Sequence, residues 1–138
     1  MMKHYHFSDG MKKKIISLLS RRNDIRFAFI FGSFVSQQMT SSSDLDIALF
    51  FKDIINFNEI NELREELTVA LRKEIDIVML NTASPIIRMQ VLKKGILIIN
   101  NEPKSYNEFF VKTVNEYDDL KKIRKEIEDT ILKGRIYA

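Results

Sequence analysis

The chain contains no cysteine. Disulfides and thiol chemistry are therefore excluded, and the composition fits a reducing cytoplasm, the expected compartment. No apolar run approaches the roughly 20 residues that a membrane-spanning helix needs. Met1-Met2-Lys3-His4-Tyr5-His6 lacks the apolar core of a signal peptide. No Ser-His-Asp arrangement offers a hydrolytic triad. His4 and His6 are spaced like a metal pair, but no third ligand lies near them, so they are assigned to a frayed terminus. Nothing has the basic residues interleaved with aromatics that a single-strand groove requires, so no direct nucleic-acid contact is expected. There is no internal repeat and no linker. At 138 residues, positions 1–138 are expected to form one domain, long enough to bury a real core.

What is present is the balance of a globular protein, 45% apolar and 30% charged. The net charge is only +3, but it is unevenly placed. Lys3, Lys12, Lys13, Lys14, Arg21, Arg22 and Arg26 face only Asp9 and Asp24 in the first segment. A solvated helix face is the favoured reading, and a surface for nucleotide or an acidic partner is the alternative.

Three carboxylates stand out. Gly32-Ser33 ends the apolar run Phe27–Phe31, Asp44 and Asp46 open the run Ile47–Phe51, and Asp76 sits within Ile75–Leu80. Carboxylates on buried-looking strands are costly unless neutralised. Alternate strand residues share a face, so Asp44 and Asp46 can converge while Leu45 and Ile47 point into the core. Asp76, flanked by Ile75 and Ile77, can join them from a neighbouring strand. Such an oxygen cluster suits magnesium, and two ions can clamp the attacking and leaving oxygens of a phosphoryl or nucleotidyl transfer. Gly32 permits a sharp turn and close backbone approach. A helix beginning at Ser33 would aim its free N–H groups at a polyphosphate.

The remaining pattern predicts an α/β chain. Helices are expected at 9–21, 33–38 and 59–73, and strands at 26–31, 45–51 and 75–80. Residues 39–43, rich in hydroxyls, read as a loop. Ser84 is the expected N-cap of a helix with Pro85 in its first turn, and Gly95 is expected to close it in a left-handed conformation. A short strand follows at 96–99. Residues 104–133 read as a long helix with a stripe of Tyr106, Phe110, Val114, Tyr117, Leu120, Ile123, Ile127 and Ile131. That helix would span roughly 45 Å. Either part of its stripe lies beyond the core, or the helix bends near Asp118-Asp119 and packs entirely on its own sheet. The expected fold is thus a mixed sheet of about four strands covered by helices.

The segment Gly32-Ser33-Phe34-Val35-Ser36-Gln37-Gln38-Met39-Thr40-Ser41-Ser42-Ser43-Asp44-Leu45-Asp46 resembles the signature of the DNA polymerase β nucleotidyltransferase superfamily. Asp76 falls where its third carboxylate belongs. Size and the layout after Asp76 resemble the MntA type, the small antitoxin partner of HEPN ribonuclease toxins. The likeness covers nearly the whole chain. One departure is that Ser36 and Gln37 stand where family members carry a basic or polar residue and then Gly.

The resemblance implies AMP transfer from ATP to a tyrosine hydroxyl of a HEPN toxin, within a stable hetero-oligomeric complex. Asp44 and Asp46 would bind both Mg2+ ions. Asp76 would complete the site nearer the nucleophile and accept its proton. Gly32, Ser33 and Ser43 are the expected nucleotide-binding residues. Two other readings stay open: an antitoxin that only covers its toxin and keeps a relic site, and a transferase for a small molecule such as an aminoglycoside.

Overall fold

The computed structural model describes residues 9–31 and 45–137. Gly32, Ser33, Ser43 and Asp44 lie outside the described residues, as do His4, His6, the expected helix 33–38 and the expected loop 39–43. The described elements are α1 (Asp9–Leu19), β1 (Ile25–Phe31), β2 (Leu45–Phe51), α2 (Phe57–Leu71), β3 (Ile75–Met79), α3 (Pro85–Lys94), β4 (Ile96–Asn100) and α4 (Pro103–Tyr137). The sheet runs in the order β3-β2-β1-β4. β1 is antiparallel to both β2 and β4, whereas β2 and β3 are parallel and joined through α2. The expected mixed four-stranded sheet is therefore present.

Alternation along the strands separates two cores. Leu45, Ile47, Leu49 and Phe51 of β2, with Ala28 and Ile30 of β1, bury one face against Ile15 and Leu19 of α1 and Leu63 and Leu67 of α2. The opposite face carries Phe27, Phe29, Ala48 and Leu80, packed with Val91 of α3 and Phe109 of α4. The Phe27 ring stacks on Phe50 at 4.7 Å and meets Phe109 at 5.1 Å and Tyr106 at 5.4 Å. Such ring pairs contribute about 0.5–1.5 kcal/mol each beyond the area they bury.

Local chemistry sets the boundaries. Asn56 caps α2 by accepting from the Glu59 N–H at 2.9 Å, so the helix starts two residues earlier than its apolar pattern alone indicates. Ser84 caps α3 as expected, accepting from the Ile87 N–H at 3.3 Å with Pro85 in the first turn. Past β2, the Asn81 side chain replaces a missing strand pair: its amide accepts from the Phe51 N–H and donates to the Phe51 carbonyl, each at 2.9 Å.

Gly95 corrects one expectation. Its φ of −79° and ψ of 159° are extended, not left-handed. The chain passes from α3 straight into β4, so no reversal is needed. The left-handed residue is Arg72, at φ 55°, closing α2. Gly95 is required by close packing instead: an added Cβ would lie 2.5 Å from the Val91 carbonyl oxygen and 3.3 Å from the Phe29 ring. Gly95→Ala is expected to cost about 1–3 kcal/mol, read as a lower urea midpoint. An unchanged midpoint would contradict the tight contact.

The three arginines of the basic first segment form intramolecular pairs, whereas Lys13 and Lys14 of α1 are exposed. Arg21 reaches Glu66 at 3.6 Å, and Arg26 reaches Glu102 at 2.7 Å. Arg22 grips both carboxylate oxygens of Asp24, at 3.0 and 2.8 Å. That bidentate hydrogen bond holds the Asp24 carboxyl below the usual carboxylate range, against the opposing effect of its burial. A lowered folded pKa stabilises at pH values above the unfolded one and is lost as pH falls through the folded value. Wild type should therefore exceed Asp24→Asn by about 1 kcal/mol near neutral pH, discounted for partial exposure, with the gap closing as pH falls below the ordinary carboxylate value of 3.8. Urea titrations of both proteins across that range check it, and a gap independent of pH would contradict it.

α4 also corrects the expected stripe. Its buried positions are Phe109 and Thr113, whereas Phe110 is 45% exposed. The helix runs without interruption through Asp118-Asp119 to Tyr137. Arg88 of α3 locks the two helices together. It is 9% exposed and donates to the Ala83 carbonyl at 3.0 Å, to the Thr113 hydroxyl at 3.3 Å and to the Glu116 carboxylate.

Candidate active site

The strand register builds the site. On β2, Leu45 and Ile47 are fully buried toward α1 and α2, which forces Asp46 to the opposite face. On β3, Ile75 and Ile77 do the same for Asp76. Because β2 and β3 are parallel and in register, Asp46 lies directly beside Asp76. Phe31, the last residue of β1, flanks Asp46 on the other side. Phe31, Asp46 and Asp76 thus form one row across three strands, with adjacent strands about 4.8 Å apart.

The row sits at the end of the sheet where β1 finishes and β2 and β3 begin. Phe50 lies four positions beyond Asp46, roughly 13 Å along the strand. Phe109 of α4 packs at the Phe27–Phe50 end. Asp76 is exposed and Asp46 half-buried. The carboxylates are reachable from solvent, yet they rest on a rigid floor.

Two adjacent carboxylates, one partly withdrawn from water, are the hard-oxygen donors that a divalent ion prefers. The donor chemistry therefore fits magnesium. Among the described residues, no group of three His, Cys, Asp or Glu side chains is drawn together. Asp44, the third carboxylate expected from sequence, lies outside them. Of the predicted site residues, the structure describes Asp46 and Asp76 and makes them neighbours. Phe31 was not among the residues singled out, because its place beside Asp46 emerges only from the antiparallel register.

Two carboxylates side by side at the end of a mixed sheet, with a Gly-Ser motif earlier in the sequence, suit metal-assisted transfer of a phosphoryl or nucleotidyl group. The polymerase β nucleotidyltransferase family model matches residues 13–104, and the chain belongs to that family. Within it, the chain is 31% identical over 123 residues to the protein adenylyltransferase MntA of Shewanella oneidensis, covering 88% of this chain and 87% of that protein. A toxin–antitoxin crystal structure with AMP-PNP superposes at a TM-score of 0.77, with 30% identity over 88% of this chain and 98% of that one. A structure of a tri-AMPylated Shewanella oneidensis HEPN toxin in complex with MNT antitoxin matches at a TM-score of 0.71 and 30% identity, covering 88% and 95% of the two chains. No helix among the described residues is long and apolar enough to cross a membrane.

Proposed function

We propose that this chain is an antitoxin that transfers AMP from ATP to a tyrosine hydroxyl of a cognate HEPN ribonuclease toxin and thereby neutralises it. The observation that carries the reading is the in-register placement of Asp46 beside Asp76 on an accessible sheet end. Residues 1–138 act in this reading as one minimal nucleotidyltransferase domain, working in the cytoplasm in complex with the toxin.

Asp44 and Asp46 would hold two Mg2+ ions, and Asp76 would complete the metal site nearer the nucleophile. When bound, the metal neutralises the triphosphate and the developing charge at the α phosphate. Gly32 and Ser33 would hold the β and γ phosphates, and Ser43 would also contact the nucleotide. The tyrosine oxygen attacks the α phosphorus in line, the bond from that phosphorus to the β-phosphate bridging oxygen breaks, and pyrophosphate leaves. The tyrosine proton passes to Asp76. Positioning and charge neutralisation supply most of the acceleration in such a reaction.

Incubation of the chain with ATP, magnesium and a cognate HEPN-type toxin tests the proposal by intact-mass measurement. The toxin is expected to gain whole AMP units, and its acceptor Tyr→Phe variant none. A stable complex in which no AMP appears under any nucleotide or metal condition would replace transfer with neutralisation by coverage alone.

A further inference from the structure

The strands that carry the carboxylates bring no cation with them. Between Arg26 and Lys52 the chain has no lysine, arginine or histidine. Arg26 pairs with Glu102, and the Lys52 N–H donates to the Asp24 carbonyl just past β2. Both residues therefore stand at the end of the sheet away from the row. Ser36 occupies the position where family members carry a basic or polar residue. Phosphate oxygens are held most strongly by charged donors. Any such donor has to come from another part of the chain.

The fold delivers one at the end of α3. That helix packs on the same face as Asp46 and Asp76, with Val91 in one cluster with Phe27 and Phe29. It starts beyond the end of β3 and finishes at the start of β4, which lie at opposite edges and opposite ends of the sheet. α3 is therefore a diagonal. α4 fills the corner on one side of it, at Phe27 and Phe50. The carboxylate row lies in the corner on the other side. The last turn of α3 carries Lys93 and Lys94. Lysines in a last turn complement the helix dipole wherever they stand, but this turn ends beside the row. A Cβ on Gly95 would lie 3.3 Å from the Phe29 ring and 3.4 Å from the Ile30 carbonyl oxygen. Continuing the register of Ile30 with Ile96 sets Gly95 opposite Phe31. The row then reads Gly95, Phe31, Asp46, Asp76 across four strands. Gly95 is about 10 Å from Asp46, two strand spacings. A lysine's four-carbon stem covers much of that distance, and a phosphate chain bound at Asp46 covers the rest.

The two lysines belong to different flanks of α3. Lys93 lies over the Tyr117 ring of α4 at 5.5 Å. Ile86, seven residues earlier and so on the same flank, shares a groove with Tyr117. Lys94 follows Ile87 and Val91 at intervals of seven and three residues, on the flank away from α4 and toward the row. It is exposed, and its side chain has no ion pair or hydrogen bond among the described residues. Arg72 and Lys73 also stand at this end of the sheet, but they precede β3 at its edge, beyond Asp76 on the acceptor side. We propose that Lys94 binds the β and γ phosphates of the nucleotide and supplies the cation that the segment after β1 lacks. The assignment rests on the transfer reading above for the nucleotide itself.

Titration calorimetry of the full chain with ATP and with AMP, each with magnesium and without toxin, tests it by affinity rather than turnover. Lys94→Met keeps most of the stem and removes the charge. It should bind ATP on the order of 10-fold more weakly than wild type, and AMP within about twofold. The retained AMP affinity shows that the variant is folded. Lys94→Arg should restore ATP binding. Lys93→Met, on the flank facing α4, should leave ATP binding unchanged. A wild-type preference for ATP over AMP that survives Lys94→Met overturns the assignment and leaves the transfer reading standing. An equal loss of ATP affinity in Lys93→Met also overturns it, because the effect is then one of general charge. A wild type that binds ATP no more tightly than AMP overturns the assignment and the transfer reading together. A loss confined to ATP in Lys94→Met, in a chain that labels no toxin, upholds the phosphate contact and removes only the transfer.

Discussion

Asp46→Asn should abolish nucleotidyl transfer while leaving the domain folded, with a rate loss of at least about a thousandfold, or roughly 4 kcal/mol in the barrier. The residue lies in the centre of the row, between Phe31 and Asp76, with strands on both sides fixing its direction. An amide keeps the shape but removes the charge that holds a divalent ion. The α phosphate and leaving pyrophosphate then develop charge without a counter-ion. Because the change is nearly isosteric on a strand pinned by Leu45 and Ile47, the urea midpoint should stay within about 1 kcal/mol of wild type. Full activity of Asp46→Asn with magnesium would contradict the two-metal assignment. Asp76→Asn should differ in kind, losing chemistry more than nucleotide affinity. Equal loss of both would remove Asp76 from the acceptor side of the reaction.

The largest effect on stability is expected at Arg88. Its guanidinium satisfies a backbone carbonyl, a hydroxyl and a carboxylate between α3 and α4, with only 10% of the side chain exposed. Arg88→Ala opens a cavity and leaves Thr113, fully buried, and the inner oxygen of Glu116 without their donors. A loss of about 3 kcal/mol is expected by urea unfolding. The paired change Arg88→Met with Glu116→Leu should recover most of it, because an apolar pair needs no donors. A loss below about 1 kcal/mol for Arg88→Ala would mean that the helix pair is held by its apolar contacts alone.

How far the molecule was legible beforehand follows from which interactions are local. Asp46 and Asp76 could be placed on one face because each is flanked by buried isoleucine or leucine, and strand alternation then leaves no choice. Ser84 and Pro85 could be read because a cap acts over three residues. The errors concern groups whose role is set by distant chain. Phe109 and Phe110 are equivalent as a doublet, and the buried row through Thr113 is hidden by a polar residue. Thr113 is buried because Arg88, 25 positions earlier in sequence, donates to it. Gly95 was assigned to the left-handed region from its place after a helix, whereas its real constraint is the Phe29 ring and the Val91 carbonyl. Arg72 closes α2 at positive φ although nothing in its residue type favours that conformation. The length of α4 was the opposite case: its apolar period continues past the point where a compact domain, roughly 40 Å across, can cover it. The exposure of Ile123, Ile127 and Ile131 bears out the reading in which part of the stripe lies beyond the core.

The central claim is AMP transfer onto a protein hydroxyl, and the position of the label in ATP tests it most directly. The chain, its cognate HEPN toxin and magnesium are incubated in parallel with ATP labelled at the α phosphorus and with ATP labelled at the γ phosphorus. The α label should appear on the toxin, stable to denaturation, with pyrophosphate released in equal amount, and the γ label should remain in solution. Label from the γ phosphorus on the toxin, or none from the α phosphorus in a complex that forms and binds ATP, would contradict the account.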